Sequence, residues 1–443
     1  MGALVLVLAL SGAARGQVDE EKKDPPAGPP AAEQASERSE KERLAEIERQ
    51  TAILTEELEK LKLGEVAQEK PSPGMYGFAP AASKVYGVTR GVSLGGYGEA
   101  VFQSPDEERD DGAPSGRANE FDFLRAVVYL GYKWSDRILF NSELEFEHAS
   151  TGKGGEVSVE FAYVDFFLRP QVNFRGGMVL IPVGILNELH EPPVFHGAQR
   201  PRTESVIIPT TWRENGGGVF GQVGPLSYRS YAVTGLSSSG FTASSGVRGG
   251  RQSGARSRAE DFAWTGRVDL NAVPGLLVGG SFFAGGSGQG ARAPNGETID
   301  GRVTLFDLHA RYDYRGLELR GLYARETVAD AALINQSLGL SGVKSIGSRL
   351  QGAYVEAAYD LLTLAGKVSS QSLIPFVRYE RFDTQAEVPS GFARDPANDQ
   401  RLLTFGFGFK PHPSVALKLD YQDFDNRAGT GTNQWNFAIG YLF

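Results

Sequence analysis

The chain of 443 residues contains no cysteine, only five histidines and only three methionines. The absence of cysteine excludes disulfide bonds, thiol catalysis and cysteine-ligated metal sites. Hydrophobic residues make up only 41% of the chain. Beyond residue 20 there is no uncharged apolar run of the roughly 18 residues that a transmembrane helix needs. The composition therefore excludes an ordinary helical membrane protein and leaves a large all-β unit or several soluble domains.

Signatures of enzymes are also missing. The histidines are scattered along the chain at His148, His190, His196, His309 and His412. None belongs to a G-x-S-x-G nucleophile elbow, and no H-E-x-x-H pair is present. His190 and His196 have Glu188 and Glu191 nearby, which leaves a metal site as an alternative to a simple polar loop. We expect no enzymatic activity, no bound metal, no cofactor and no nucleic-acid partner.

The N-terminal region has the features of an export signal followed by a tether. An apolar run from Ala3 to Leu10 precedes small residues, which predicts a signal peptide over residues 1–16, although no Lys or Arg precedes the run. A buried N-terminal strand is the alternative. Residues 17–36 are charged and rich in proline and predict a disordered tether. The formal net charge of -9 lies mainly in this region, before residue 71.

Residues 37–63 have a heptad pattern. Apolar residues recur at alternating spacings of 3 and 4, with charged residues between them, at Leu44, Ile47, Thr51, Leu54, Leu58 and Leu61. This pattern predicts a short coiled coil, and a lone amphipathic helix lying on the rest of the protein is the alternative. Because so short a helix is marginal in water, this coiled-coil seam can form only between chains that another part of the protein already holds together. Residues 64–88, rich in proline and glycine, predict a linker.

From about residue 89 the hydrophobic period changes to 2 and stays so to the last residue. At the C-terminus the large apolar residues alternate with small or polar ones, at Trp435, Phe437, Ile439, Tyr441 and Phe443. A soluble β-sandwich also alternates, but here the apolar face is crowded with aromatics near the strand ends and the other face carries charges in most strands. Tight turns, such as residues 170–171, alternate with long loops, such as residues 237–258. These features indicate an outer-membrane barrel.

The turns predict sixteen strands, and fourteen or eighteen remain alternatives because residues 361–371 form a weak turn. The predicted strands start near residues 91, 119, 137, 155, 172, 212, 225, 260, 274, 300, 316, 348, 371, 399, 413 and 433. Sixteen strands leave a water-filled lumen. The predicted fold is therefore all-β, a 16-stranded antiparallel transmembrane β-barrel over residues 89–443 with a short N-terminal coiled coil in the periplasm.

Five segments carry a resemblance to a known family: residues 175–184 (RGGMVLIPVG), 207–216 (IIPTTWRENG), 375–380 (PFVRYE), 419–422 (LDYQ) and 437–443 (FAIGYLF). Over residues 88–443 the chain resembles the phosphate-selective porin O and P family. The resemblance implies a homotrimer of 16-stranded barrels in outer-membrane lipid, a loop at residues 184–211 that folds into the lumen, and recognition of Phe443 by the barrel-assembly machinery. The lysine clusters of that family are absent here, so its phosphate specificity is not carried over.

Arginines predominate among the positive charges after residue 70, and their planar groups suit carboxylate and phosphate. In the loop at residues 184–211 we expect Arg200 and Arg202, with Arg213 just beyond, to attract anions, whereas Arg248 and Arg251 in a later loop should matter little. The other residues expected to line the pore are Arg125, Arg175, Arg229, Arg267, Arg311, Arg320, Arg378, Glu143 and Glu145. The alternative is that these strand residues only pair with one another and stiffen the barrel wall.

These patterns predict an outer-membrane porin that gives passive diffusion to small hydrophilic, anionic solutes such as phosphate or small carboxylates. The alternative is a structural barrel that links the membrane to peptidoglycan through its coiled coil.

Overall fold

The computed structural model describes Arg49, residues 74–364 and residues 370–443. The predicted signal peptide, tether and coiled coil lie outside the described residues, except for Arg49, and so do the seam positions Leu44, Ile47, Leu54, Leu58 and Leu61. These predictions stay predictions.

The described residues form one closed barrel of sixteen antiparallel strands, as the alternation predicted. Each strand pairs with the next, and β1 closes the ring by pairing with β16. The largest difference from the expected starts is at β10, which was expected near residue 300 and begins at Val303. The strands are β1 (Gly91–Pro105), β2 (Glu120–Ser135), β3 (Ile138–Glu147), β4 (Val157–Arg169), β5 (Val172–Leu180), β6 (Arg213–Val223), β7 (Leu226–Thr234), β8 (Phe262–Val273), β9 (Leu276–Gly285), β10 (Val303–Tyr314), β11 (Leu317–Val328), β12 (Arg349–Tyr359), β13 (Ser372–Glu387), β14 (Asp399–His412), β15 (Val415–Asn426) and β16 (Gln434–Leu442).

Helical structure is confined to short pieces. The α-helices are α1 (Lys84–Gly87), α2 (Ala331–Ser337) and α3 (Leu361–Leu364). Single turns of 3-10 or π type occur at Thr151–Lys153, Pro192–Val194, Thr203–Ile207, Ser238–Gly240, Arg248–Gly250, Gly342–Lys344 and Pro396–Asn398. In the part of the chain that the structure describes, no helix combines the length and apolar character needed to span a bilayer.

Side chains alternate between the two faces of the barrel wall, with interruptions at a few bulges. In β16, Trp435, Phe437, Ile439 and Tyr441 are exposed on the outside, whereas the residues between them are buried toward the lumen. The same alternation continues around the ring, so the outer face carries most of the large exposed apolar side chains. An apolar outer face is what a barrel in a bilayer requires, because that face meets the lipid tails. The closed ladder also leaves no open sheet edge, which a bilayer would not tolerate.

The connections on one rim are short and those on the other are long. Two-residue turns join β2 to β3, β4 to β5, β6 to β7, β8 to β9, β10 to β11 and β14 to β15. The turn at Arg315 and Gly316 has positive φ at both residues (47° and 86°), the geometry that matches the twist of two paired strands. The connection from β12 to β13 is longer and contains α3. We refer to the two sides as the short-turn rim and the long-loop rim.

The linker predicted for residues 64–88 is described only from residue 74 onward. Residues 74–88, which we call the strap, enter the barrel at the short-turn rim and pack against the inner wall. Phe78, Ala82 and Val85 are each at most 3% exposed. These apolar groups have no regular spacing in the sequence, and their burial depends on a wall formed by later strands.

Candidate solute pathway

The segment between β5 and β6, residues 181–212, folds into the lumen, and we call it the constriction loop. Its backbone N–H groups reach carboxylates on distant strands. Gly184 donates to Asp307 at 3.0 Å, Ala198 donates to Asp420 at 2.6 Å and Thr203 donates to Glu380 at 3.1 Å. The loop thus contacts the barrel wall opposite its own root. The family resemblance implied an inward-folded loop at residues 184–211.

Two side chains within the constriction loop determine its shape. The amide nitrogen of Asn187 donates to the backbone oxygens of Ile181 at 2.7 Å and Trp212 at 2.9 Å, which closes the base of the loop. The carboxylate of Glu204 accepts hydrogen bonds from the N–H groups of Ile185 and Leu186 at 2.6 and 2.7 Å. Buried polar groups need such partners, so both residues serve the loop rather than a solute.

Several arginines expected to line the pore are covered by this loop, which corrects that expectation. Arg378 is fully buried and donates to the backbone oxygens of His196 and Gln199 at 3.2 and 3.1 Å. Arg320 donates to the oxygen of Val194 at 2.8 Å, and Arg267 donates to that of Gly184. Each also pairs with a carboxylate on the wall. These arginines anchor the loop.

The wall acids Glu143 and Glu145 do not form a free acidic surface either. Glu143 is fully buried and pairs with His190 of the constriction loop at 3.1 Å. Glu145 pairs with Arg125 at 3.2 Å, and Arg213 pairs with Glu160 at 2.6 Å. Arg125 and Arg213 are therefore neutralised on the wall, in keeping with the alternative that strand charges pair with one another.

Arg175 and Arg311 lie near the short-turn rim. Arg175 is buried under the strap, with its Nε 2.7 Å from Asp165 and its guanidinium stacked over the ring of Tyr163 at 4.1 Å. The prediction that it lines the pore is therefore wrong for the barrel with the strap in place. Arg311 is about one-third exposed and pairs with Asp313 at 2.7 Å.

Four arginines of two loops form what we call the arginine cluster: Arg200, Arg202, Arg248 and Arg251. Arg200 donates to the backbone oxygen of His190 at 3.2 Å, and Arg251 donates to that of Thr210. The Nε of Arg202 is buried and has no hydrogen-bond partner. In the described part of the chain none of the four pairs with a carboxylate. Burial and then the neighbouring guanidinium groups of Arg251, Arg200 and Arg202 lower the pKa of Arg248 to about 9, so it stays charged at neutral pH.

The arginine cluster borders a cavity on the long-loop side of the lumen. Its volume is about 310 Å³, and Arg200 and Arg202 line it together with Arg125, Ser205 and Thr210 and with the acids Glu99, Glu120 and Asp122. Glu99 pairs with Arg125 at 3.5 Å, and Asp122 pairs with His148 at 2.6 Å. Arg248 reaches the same region, since it donates to the hydroxyl of Thr210 at 3.2 Å. The cavity is the size of a small solute, and unpaired guanidinium groups are suited to bidentate bonds with carboxylate or phosphate.

Arg248 and Arg251, which we expected from the sequence to matter little, lie beside the constriction loop. Their loop, residues 235–261, also turns inward, where Val247 is fully buried. No hydrophobic periodicity in the sequence predicts this inward turn, because a single valine flanked by glycines and arginines is typical of an exposed loop. Across the described residues, no group of three or more His, Asp or Glu side chains is arranged to hold a metal ion.

Comparison with known proteins gives one related sequence and a set of similar folds. An uncharacterized protein of Aquifex aeolicus (strain VF5) is 40% identical over 395 residues, which cover 87% of each chain. No family model matches, so the resemblance to the phosphate-selective porin O and P family stays a prediction.

Solved outer-membrane barrels have a similar fold at low sequence identity. OmpF of Salmonella typhi, solved with daunomycin, has a TM-score of 0.54 at 12% identity, covering 80% of this chain and 98% of OmpF. The outer membrane channel DcaP of Acinetobacter baumannii has a TM-score of 0.50 at 12% identity, covering 80% and 97%. At such identity the likeness shows a porin-like 16-stranded barrel and nothing finer.

Proposed function

The chain belongs to the same family as the uncharacterized Aquifex aeolicus protein, and we propose that it is an outer-membrane porin for passive diffusion of small hydrophilic anions. The closed barrel with an apolar outer face supports the membrane location, and the two neighbours named above are outer-membrane proteins. As in the sequence prediction, the porin would be a homotrimer whose N-terminal coiled coil lies in the periplasm.

The observation that carries the anion preference is the arginine cluster. Arg200 and Arg202 line one cavity, and Arg248 and Arg251 lie beside it. In the described residues none of the four forms an ion pair, although Glu99, Glu120 and Asp122 also line the cavity. A concentration of fixed positive charge at a constriction favours anions over cations. Carboxylate and phosphate fit the planar donors of arginine, so small carboxylates and phosphate are the solutes we propose. Binding has to be weak, because a passing solute must leave again.

A reversal-potential measurement on the purified protein in a planar bilayer tests this proposal. Under a potassium chloride gradient we expect a potential of the sign that an anion-preferring channel gives. Phosphate and small dicarboxylates, added in turn, should lower the chloride current if they occupy the cluster. A cation-preferring channel would contradict the anion proposal but not the porin.

The competing function is a structural barrel that tethers the outer membrane to peptidoglycan through residues 17–88, which include the predicted coiled coil. It rests only on the sequence pattern of the N-terminal region. Single-channel recording separates the two functions, because a tether needs no conducting lumen. A barrel that never conducts would reject the porin and leave the tether.

A further inference from the structure

The strap covers both apolar and polar groups of the barrel wall, and Phe78 packs on the rings of Phe161 and Tyr163. Under it, the amide nitrogen of Asn141 donates to the backbone oxygen of Ala82 at 2.9 Å, and the hydroxyl of Tyr86 donates to Asp165 at 3.0 Å. Arg175 in turn donates to that hydroxyl at 2.9 Å. Because Arg175 and Asp165 already neutralise each other, this wall would tolerate water if the strap were absent.

The strap is also joined to the constriction loop through one carboxylate. Glu191 accepts hydrogen bonds from the backbone N–H groups of Ala82 at 2.8 Å and Ala81 at 3.2 Å. Glu191 immediately precedes the 3-10 turn Pro192–Val194 of the constriction loop. Two consecutive N–H groups on one carboxylate form a compact latch, and its bonds are charge-assisted when Glu191 is ionised.

The barrel does not depend on the strap for its closure. The ring is completed by β1 and β16, which pair from Tyr97 with Leu442 to Pro105 with Gln434. The strap is not among the strands of this ladder, and its backbone bonds are largely local, such as the N–H of Tyr86 to the oxygen of Ser83 at 3.0 Å. Side-chain contacts hold it in the lumen, so it can leave without breaking the sheet.

The position of the strap determines how much of the short-turn side of the lumen is open. A cavity of about 570 Å³ lies between strap residues 74–80 and the opposite wall, where Arg229, Arg267 and Arg311 line it. Gly77 runs so close to Arg229 that a Cβ at this position would overlap the guanidinium group. The strap thus contacts the wall from β1 to β7 and bounds the space that remains.

We propose that the strap is a displaceable closure of the short-turn half of the lumen, latched to the constriction loop by Glu191. Its departure uncovers the polar groups of Asn141, Asp165 and Arg175, together with the apolar side chains packed against the strap, and enlarges the passage.

Thiol labelling tests this closure without any assumption about transport. The full-length chain has no cysteine, so Val85→Cys introduces a single thiol at a site that is 2% exposed. With folded protein in lipid vesicles, we expect a membrane-impermeant maleimide to modify Val85→Cys slowly, and several-fold faster when Glu191→Ala is added. Ser239→Cys, in an exposed loop position, is the fast-reacting control.

Two results would overturn the proposal. One is a Val85→Cys thiol that reacts only after the barrel is unfolded by heat. The other is equal labelling rates with and without Glu191→Ala, provided that both proteins show the heat-modifiable migration of a folded barrel. If Glu191→Ala does not fold, Glu191→Gln removes the charge while keeping the volume, and the same comparison applies.

A cross-link tests the effect on the passage, and this experiment rests on the proposed porin function. A Cβ on Gly131 would lie 2.7 Å from the Cβ of Val85, so a small shift brings Val85→Cys and Gly131→Cys into disulfide range. We expect lower conductance for the oxidised pair than for the reduced pair, with no redox effect in either single variant. Equal conductance of oxidised and reduced protein would reject the closure. A barrel that never conducts would reject the porin function. The maleimide labelling of Val85→Cys would still test whether the strap can be displaced.

Discussion

Arg248 donates a hydrogen bond from its Nη1 to the backbone oxygen of Ser205 at 2.6 Å. This contact joins the loop between β7 and β8 to the constriction loop, which are separate in the sequence. It brings Arg248 and Arg251 next to Arg200 and Arg202, so the positive charge at the cavity comes from both loops. The selectivity of the channel should therefore depend on both loops.

We expect Arg200→Gln with Arg202→Gln, and separately Arg248→Gln with Arg251→Gln, each to shift the reversal potential toward cation preference. Either pair removes two of four unpaired charges, and the remaining field at the cavity is weaker. The measurement is the reversal potential of each double variant in a planar bilayer under a potassium chloride gradient.

A matched control is Arg292→Gln with Arg302→Gln, in the loop between β9 and β10. Like each test variant, this control removes two positive charges from the long-loop rim, but at exposed positions away from the cavity. Because exposed charges are screened by salt, the control should leave the reversal potential nearly unchanged. An equal shift in the control would show that total charge, rather than the arginine cluster, determines selectivity.

The buried pair under the strap gives a prediction about stability. Arg175→Gln leaves the buried carboxylate of Asp165 without its partner and should lower the free energy of unfolding by about 3–5 kcal/mol. Arg175→Gln combined with Asp165→Asn should cost less than the single variant, because the uncompensated charge is removed. Denaturant unfolding of the refolded protein, followed by gel migration, measures both. A double variant less stable than Arg175→Gln would contradict the charge argument.

The last residue gives a prediction about assembly. Phe443 hydrogen-bonds through its backbone with Gly96 at 2.9 Å, and its ring is half exposed on the outer face. Phe443→Asp should lower the amount of heat-modifiable barrel in the outer membrane, because the resemblance implies that the barrel-assembly machinery reads this aromatic. Tyr441→Asp adds the same charge to the same outer row and should reduce the yield less. Equal losses of barrel yield in Phe443→Asp and Tyr441→Asp would show that the terminal position has no special role in assembly.

The coiled coil predicted for residues 37–63 lies outside the described residues, and a seam variant tests it. Leu54→Asp with Leu58→Asp places two charges in the a/d seam and should destroy helix association. We expect a folded barrel with fewer oligomers in mild detergent, measured by native gel and by heat-modifiable migration. Oligomers that persist unchanged would show that barrel contacts alone hold them together.

The sequence predicted the barrel well because a strand's alternation is local. Trp435 to Tyr441 display it within one strand, and tight turns mark where each strand ends. The anchoring of the constriction loop was not predictable, because Arg378 acts on the oxygen of His196, 182 positions earlier. The strap was missed for the same reason, since Phe78 and Val85 are buried only by a wall that later strands complete.

The outer face offers the most direct test of the membrane assignment. Leu308 lies near the middle of β10, points outward and is 63% exposed, so in a bilayer it would meet the hydrocarbon core. Leu308→Arg should then lower the free energy of unfolding in lipid vesicles by about 2–4 kcal/mol, the cost of a cationic side chain at the midplane of a transmembrane barrel. Thr304→Arg also points outward but lies nearer the long-loop rim, where the cost falls to about 0–1 kcal/mol. Val343→Arg, in the exposed loop between β11 and β12, should change the stability least.

Denaturant titration of the three variants in vesicles gives the comparison. In a water-soluble barrel each of the three arginine variants would lose little stability, and by similar amounts. A loss of stability that is smallest for Val343→Arg, larger for Thr304→Arg and largest for Leu308→Arg would therefore show that a bilayer, and not water, surrounds this wall.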